Sequence, residues 1–374
     1  EAVHRGATSQ DIIDTAVMLM SVRALDAITA DLVRAAGHAA DLASEHAETV
    51  MAGRTLLQQA VPVTFGLVAA GWLTGIDEAL LGLRRIRASR LAVQFGGAAG
   101  TLASLGAAGP GVAAMLAEEL GLAVPVLPWH TDRLRIVELA AALAGASAVL
   151  GKIARDVTLL AQSEVAEVSE GSAEAGRGGS SAMPHKRNPV AAIVILGCTR
   201  RAPGLLAMLA AAAEQEHQRA AGAWHAEWEP LADLLRLTGS AASWAVDLLT
   251  GLRVDGTRMR ANLDAAGGLP LAEHVAAMLG PSLGRLAAHD LVADASARAA
   301  TAGTGLREAL LDDPATSARL AEAGISAHQI DAALDPAGYL GATAEFVRRA
   351  LAAHQDLELP GQPNPASPDH QGQP

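Results

Sequence analysis

The sequence predicts an all-α fold of long helices, and three observations carry that expectation. Ala and Leu dominate a composition that is 51% hydrophobic but only 2% aromatic, and these two residues lose least on entering a helix. Apolar residues recur at helical spacing over long stretches free of proline. Their apolar faces are too wide for a lone bundle to cover, so burial against other copies of the chain is expected as well.

The elements follow in order. Ser9, followed by Gln10 and Asp11, reads as a helix start with acid in the first turn. That helix is expected to run to about Ala36, and a second from Leu56 to Ile86. Gly96, Gly97 and Gly100 break the chain, and Gly106-Ala-Ala-Gly-Pro110 breaks it again. Pro125 and Pro128 mark an extended loop that ends in Trp129-His130-Thr131-Asp132-Arg133. From Leu134 to Val168 the helical pattern returns without proline, a span of about 50 Å at 1.5 Å per residue. After a glycine-rich loop, Asn188 can cap a further helix with Pro189 in its first position, running to about Gln218. Another covers Pro230 to Gly251. Residues 253–355 read as a separate domain of shorter helices, after a central helical domain over 9–252. The tail, 356–374, is rich in Pro, Gln and Ser and is expected to be disordered.

Composition narrows the function. The chain has 374 residues, room for two or three domains. Its one cysteine, Cys198, excludes an intrachain disulfide and suits a reducing, cytoplasmic compartment; inside a predicted helix it reads as a buried, inert thiol. The most apolar stretches carry helical periodicity or charges, so no membrane span is expected. A net charge of −12 argues against nucleic acid as a partner. It also requires any anionic substrate to find a locally positive site.

Such a site is offered by Gly179-Ser-Ser-Ala-Met-Pro-His-Lys-Arg-Asn-Pro189. Two hydroxyls, three potentially cationic side chains and an amide crowd this loop, and they cannot be buried cheaply without partners. The segment is better suited to closing over an anion. Glu216, His217, His225 and Glu227 invite a metal reading, but the two histidines are eight apart and no cysteine is near, which is poor zinc spacing. The five tryptophans read as core or interface anchors rather than a nucleic-acid platform.

The loop resembles the signature of the fumarase/aspartase superfamily, which includes argininosuccinate and adenylosuccinate lyases. Two further blocks agree in order and spacing: His4-Arg-Gly-Ala-Thr-Ser-Gln-Asp11 and Thr55-Leu-Leu-Gln-Gln-Ala-Val-Pro62. Within the superfamily, residues 3–16, Gln94-Phe-Gly-Gly-Ala-Ala-Gly-Thr101 and Ala223-Trp-His-Ala-Glu-Trp228 resemble the bacterial 3-carboxy-cis,cis-muconate cycloisomerases. The resemblance covers about residues 3–350. It implies that residues 1–8 are the remnant of an N-terminal domain of about a hundred residues. It implies a homotetramer whose active sites each combine the three blocks from three subunits, a small tricarboxylate substrate, and no cofactor.

The resemblance also assigns roles. Ser180 is the proton-transferring residue, with Ser181 the neighbour most easily confused with it. A serine becomes a usable base only where nearby N–H groups and cations stabilise its alkoxide. Lys186 and Asn188 grip a substrate carboxylate, the next helix points its positive end at the site, and the glycine-rich approach suggests a mobile lid. His4 either contacts substrate or makes a structural hydrogen bond. Thr8 and Ser9 can cap their helix and also face substrate carboxylate. Gln59 either donates to a carboxylate or is a polar helix position. His130 and Arg133 sit where relatives bind anions, although a surface ion pair between Asp132 and Arg133 is an alternative.

Two departures from the superfamily pattern are informative. Its lyases usually carry a histidine after the threonine of the second block and a glutamate five residues after the loop's asparagine. Here those positions are Leu56 and Ile193. That pair normally helps protonate the leaving group. An intramolecular lactonisation needs no such help, because the attacking carboxylate is already ionised at pH 7. The expected reaction is therefore a cycloisomerisation. The alternatives are a C–N lyase of the adenylosuccinate type and a catalytically silent structural homologue.

Overall fold

A computed structural model describes residues 4–171 and 177–358. The expected disorder of the tail falls almost wholly on residues outside that range, as does part of the expected lid. The chain is mostly helical. It divides into two compact units, one of residues up to His38, Trp72–Leu159 and Ser169–Leu252, the other of Ala39–Gly71, Leu160–Val168 and the chain from Arg253. The second unit thus draws in two segments from the stretch read as one central domain.

Four long helices furnish most of the first unit, α1 (Ser9–Glu45), α2 (Phe65–Ser89), α4 (Leu134–Leu160) and α8 (Trp228–Thr250), although α1 from Ala39, α2 up to Gly71 and Leu160 of α4 fall in the second. A shorter helix, α3, spans Gly109–Leu120. Met18, Leu25, Ile28 and Leu32 line the buried stripe of α1, and Ile136, Leu139, Leu143 and Leu150 that of α4. These are the three- and four-residue steps of a helix face. Each such side chain contributes about 1.5–3 kcal/mol on burial. The hydroxyls of Ser147 on α4 and Thr238 on α8 meet at 3.0 Å inside this core, each satisfying the other.

The helix expected to follow the signature loop is broken. It forms as α5 (Val190–Thr199) and α6 (Ala202–Ala211), both packed on α8. Pro203 lies in the first turn of α6; it cannot donate into a continuing helix and is tolerated only at such a start. A short helix, α7 (Ala223–Ala226), precedes α8. Likewise α4 stops at Leu160 rather than near 168, and Ala166 takes a left-handed conformation (φ 52°) just before strand β3 (Val168–Glu170).

The largest correction lies in the second unit. Residues 50–64 form an antiparallel hairpin, β1 (Val50–Thr55) and β2 (Gln58–Thr64), where a helix from Leu56 was expected. Leu56 and Leu57 make its turn, both at positive φ (51° and 66°), the geometry that matches strand twist in two-residue hairpins. The register slips between Ala52 and Arg54, and a Cβ on the intervening Gly53 would lie 2.6 Å from the Val61 carbonyl oxygen, so the bulge requires glycine. Arg54 then places two hydrogen bonds on the buried carboxylate of Glu167, at 2.8 and 2.6 Å. Beyond strand β4 (Leu252–Val254) and α9 (Gly256–Asp264), the helices α10 (Ala272–Leu283), α11 (Arg285–Ala302), α12 (Leu306–Leu311), α13 (Pro314–Glu322) and α14 (Ala327–Ala333) enclose their own core of Leu279, Leu291, Leu310, Leu320 and Ile330. A last helix, α15, spans Thr343–Glu358.

Three helical stretches, Phe65–Ser89, Leu134–Leu160 and Val190–Ala211, are long and apolar enough to cross a membrane by length and composition. The charges that argued against a span are too sparse within them to exclude it. No more than half of each most apolar window is buried within the chain, which leaves substantial apolar surface for other molecules to cover.

Candidate active site

Three of the motifs read from the sequence meet in a buried knot around Asp11. Its carboxylate accepts from the Gln94 amide (3.1 Å), the Gly96 N–H (3.1 Å) and His130 Nε2 (2.7 Å) on one oxygen. The other accepts from the N–H groups of Thr8 and Gly97, both at 2.9 Å. Burial alone would raise this carboxyl's pKa. The bonds from His130, Thr8, Gly97 and Gln94 outweigh it and hold the group below the ordinary aspartate range. His130 is 3% exposed. The histidine–carboxylate couple therefore belongs to the core and is not presented to solvent.

The sign of that shift fixes a pH dependence. A depressed folded-state pKa contributes stability above the ordinary aspartate value, about 3.9, and loses it as pH falls through the folded value. Thermal melting of the wild type should fall steeply on acidification below about pH 4. Asp11→Asn should melt lower at neutral pH and respond less to acid; parallel curves for the two proteins would refute the assignment.

A second buried knot surrounds Arg133. Its guanidinium gives Nη1 to Asp14 (2.8 Å), Nη2 to Asp14 (3.0 Å) and Glu227 (2.6 Å), and Nε to Glu227 (3.0 Å). Asp14 also accepts from Trp224 Nε1 (3.0 Å), and Glu227 from Gln215 (2.9 Å). The surface pair of Arg133 with Asp132 does not form. The cation lies inside the protein, saturated by two internal carboxylates. Burial raises the Glu227 carboxyl above its ordinary value, ahead of the opposing pull of Arg133.

The signature loop is held at its base and open at its tip. Asn188 donates both its backbone N–H (2.8 Å) and its side-chain Nδ2 (3.0 Å) to the Gly178 carbonyl. Gly178 has φ 79°, and a Cβ there would lie 2.6 Å from the Asn188 carbonyl oxygen, so only glycine closes this loop. Asn188 does not cap α5. Pro189 stands at the cap position without a side-chain bond, and the free N–H groups of Ala191 and Ala192 are taken by the Glu170 carboxylate, both at 2.9 Å. The positive helix end expected to face substrate is thereby answered by an internal acid.

Ser180 Oγ accepts the Met183 N–H at 3.2 Å. Ser180 is half-buried and Ser181 exposed. The Ser180 oxygen thus has a backbone donor within hydrogen-bond distance. Lys186 and Arg187 are exposed, and neither pairs with a carboxylate among the described residues.

The first-block residues lie in the same unit. Thr8 Oγ accepts Arg219 Nη1 at 2.9 Å, while the buried Nε of Arg219 has no partner among the described residues. Sequence reasoning missed Arg219, because its partner Thr8 lies 211 residues away in the chain. Ser9 begins α1 and is exposed, and His4 is exposed at φ 67°. Gln59 belongs to the other unit and donates to the Asn262 carbonyl at 3.1 Å from a strand, not a helix. Leu56 and Ile193, the two aliphatic replacements, are 97% and 55% exposed. Cys198 is half-buried rather than buried.

Residues 1–204 match the family described as lyase, and residues 268–350 match the adenylosuccinate lyase C-terminus. A 3-carboxy-cis,cis-muconate cycloisomerase of Pseudomonas aeruginosa is 50% identical over 97% of this chain and 78% of its own length. A nitrosuccinate lyase of Streptomyces davaonensis is also 50% identical, over 94% of this chain and 74% of its own. The crystal structure of a 3-carboxy-cis,cis-muconate lactonizing enzyme from Pseudomonas putida superposes with a TM-score of 0.87 at 45% identity. It covers 96% of this chain and 78% of that one.

Proposed function

We infer the reaction from one premise: this chain belongs to the fumarase/aspartase lyase superfamily. We propose that it cyclises 3-carboxy-cis,cis-muconate to 4-carboxymuconolactone. The observation that carries this reading is the intact Ser180 loop combined with aliphatic residues at 56 and 193. A carboxylate of the substrate adds to its own double bond, forming the C–O bond. The displaced electron pair spreads into a neighbouring carboxylate as an aci-carboxylate. Ser180 gives its proton to the carbanionic carbon and becomes an alkoxide, held by the Met183 N–H until solvent reprotonates it. No group need protonate a leaving atom, so Leu56 and Ile193 cost the reaction nothing.

Lys186, Asn188, Thr8, Ser9, His4, Gln59 and Arg219 are the proposed carboxylate-binding set. His130 and Arg133 serve it indirectly, by fixing the helix and loops that carry it. Asn188 must exchange its bond to Gly178 or use its second amide hydrogen to take part. We place the enzyme in the cytoplasm as a homotetramer. Ile12, Met20, Val126, Leu127 and Trp228 are exposed apolar side chains of the kind that subunit contacts cover.

The similarity to a nitrosuccinate lyase supports a second reading with the same logic. Elimination from nitrosuccinate expels nitrite, a stable anion that also leaves unprotonated. Adenylosuccinate, whose amine must be protonated on leaving, is the disfavoured substrate. Ultraviolet assays with 3-carboxymuconate, nitrosuccinate and adenylosuccinate separate the three. Turnover of the muconate with at least about 100-fold lower kcat/KM on the others, a gap of about 2.7 kcal/mol, is expected. Preference for nitrosuccinate would replace the first reading, and preference for adenylosuccinate would overturn both.

A further inference from the structure

We propose that Glu170 is a positioning residue for Ser180, an inference that rests on the reaction proposed above. Glu170 ends β3 on the near side of the signature loop, and its carboxylate grips α5 on the far side through Ala191 and Ala192, 21 and 22 residues on. A helix start leaves its first N–H groups without internal partners. Here all four are accounted for: Val190 donates to Asn188 and Ile193 to Pro189, and Glu170 takes the two between. No donor at this helix end is left for a substrate.

Two other ties stiffen the same base. Arg177 bonds Asp247 and stands 5.4 Å from the Trp244 ring centroid, and Gly178 accepts twice from Asn188. Ser180 follows Gly178 by two residues, so its oxygen inherits its place from this base.

The carboxylate has an electrostatic part as well. It neutralises the positive end of α5, which would otherwise compete with Lys186 and Asn188 for a substrate carboxylate. Without it the substrate would be drawn toward α5 and away from register with Ser180. A misplacement of about 1 Å at the reacting centre can cost about 100-fold in rate. The effect should therefore fall on kcat rather than on affinity.

The test compares Glu170→Gln and Glu170→Asp with the wild type in the assembled full chain. Glutamine removes the charge and sets an NH2 donor against one of the two N–H groups that the carboxylate oxygens now accept separately. It should lower kcat by about 100-fold with KM nearly unchanged, and speed amide exchange only in peptides covering 177–192. Aspartate keeps the charge and should recover much of the kcat. Wild-type kcat in Glu170→Gln, or exchange raised evenly across the protein, would overturn the proposal. Should the glutamine variant fail to assemble, Glu170→Asp decides alone: intermediate kcat with local exchange supports it, and wild-type behaviour in both refutes it. Exchange needs no substrate, so a wild type inert toward every tested acid would sink the reaction while leaving the tie itself open to measurement.

Discussion

Replacing Ser180 with alanine should leave an assembled protein that has lost about 10²–10⁴-fold in kcat, the range for removing a positioned proton-transfer group. That is about 2.7–5.5 kcal/mol of transition-state stabilisation. Fold should survive, because among the described residues Ser180 makes one side-chain bond, from the Met183 N–H, and sits in a loop whose base is tied elsewhere. Ser181→Ala is the internal control. Its hydroxyl is exposed, and it should retain most activity. The reverse ranking would transfer the role to Ser181, and near-normal turnover in both would remove the loop from the chemistry. The proposed tetramer adds a sharper reading. If each site combines blocks from different subunits, mixing Ser180→Ala chains with chains altered at Gln59 should restore part of the activity that neither has alone. Subunits that each carry a whole site would restore none.

The sequence disclosed what depends on short-range pattern. The long helices were visible because Ala- and Leu-rich stripes repeat every three or four residues, as in α4. The loop was visible because its polar crowding has no other use. What stayed hidden depends on partners far along the chain. Arg133 reads as an anion-binding residue or, alternatively, as a surface partner of Asp132, yet its carboxylates come from residues 119 and 94 positions away. Asn188 reads as a cap beside Pro189, yet the cap is Glu170. The hairpin at 50–64 was missed for another reason. Its turn uses two leucines at positive φ where glycine or asparagine would have signalled it. Val61, Pro62 and Val63 favour strand over helix and were the available clue.

The buried Arg133 cluster yields the largest expected effect on stability. Asp14 and Glu227 share this single cation, and all three are nearly sealed from water. Arg133→Met keeps much of the volume but strands two carboxylates in a low dielectric. Breaking one buried pair costs about 3–5 kcal/mol, a large fraction of the 5–15 kcal/mol that typically holds a domain together. The variant should melt far lower or fail to accumulate. Glu227→Gln should behave oppositely, because it removes the surplus negative charge and leaves a matched Arg133–Asp14 pair. The raised Glu227 pKa gives the sign. Its contribution is present below the ordinary glutamate value and is lost as pH rises through the folded value. Glu227→Gln should therefore equal or exceed the wild type in melting temperature at pH 7, and the difference should shrink in acid. Equal losses from Arg133→Met and Glu227→Gln would mean that the three groups act as a packed polar unit rather than as one cation shared by two anions.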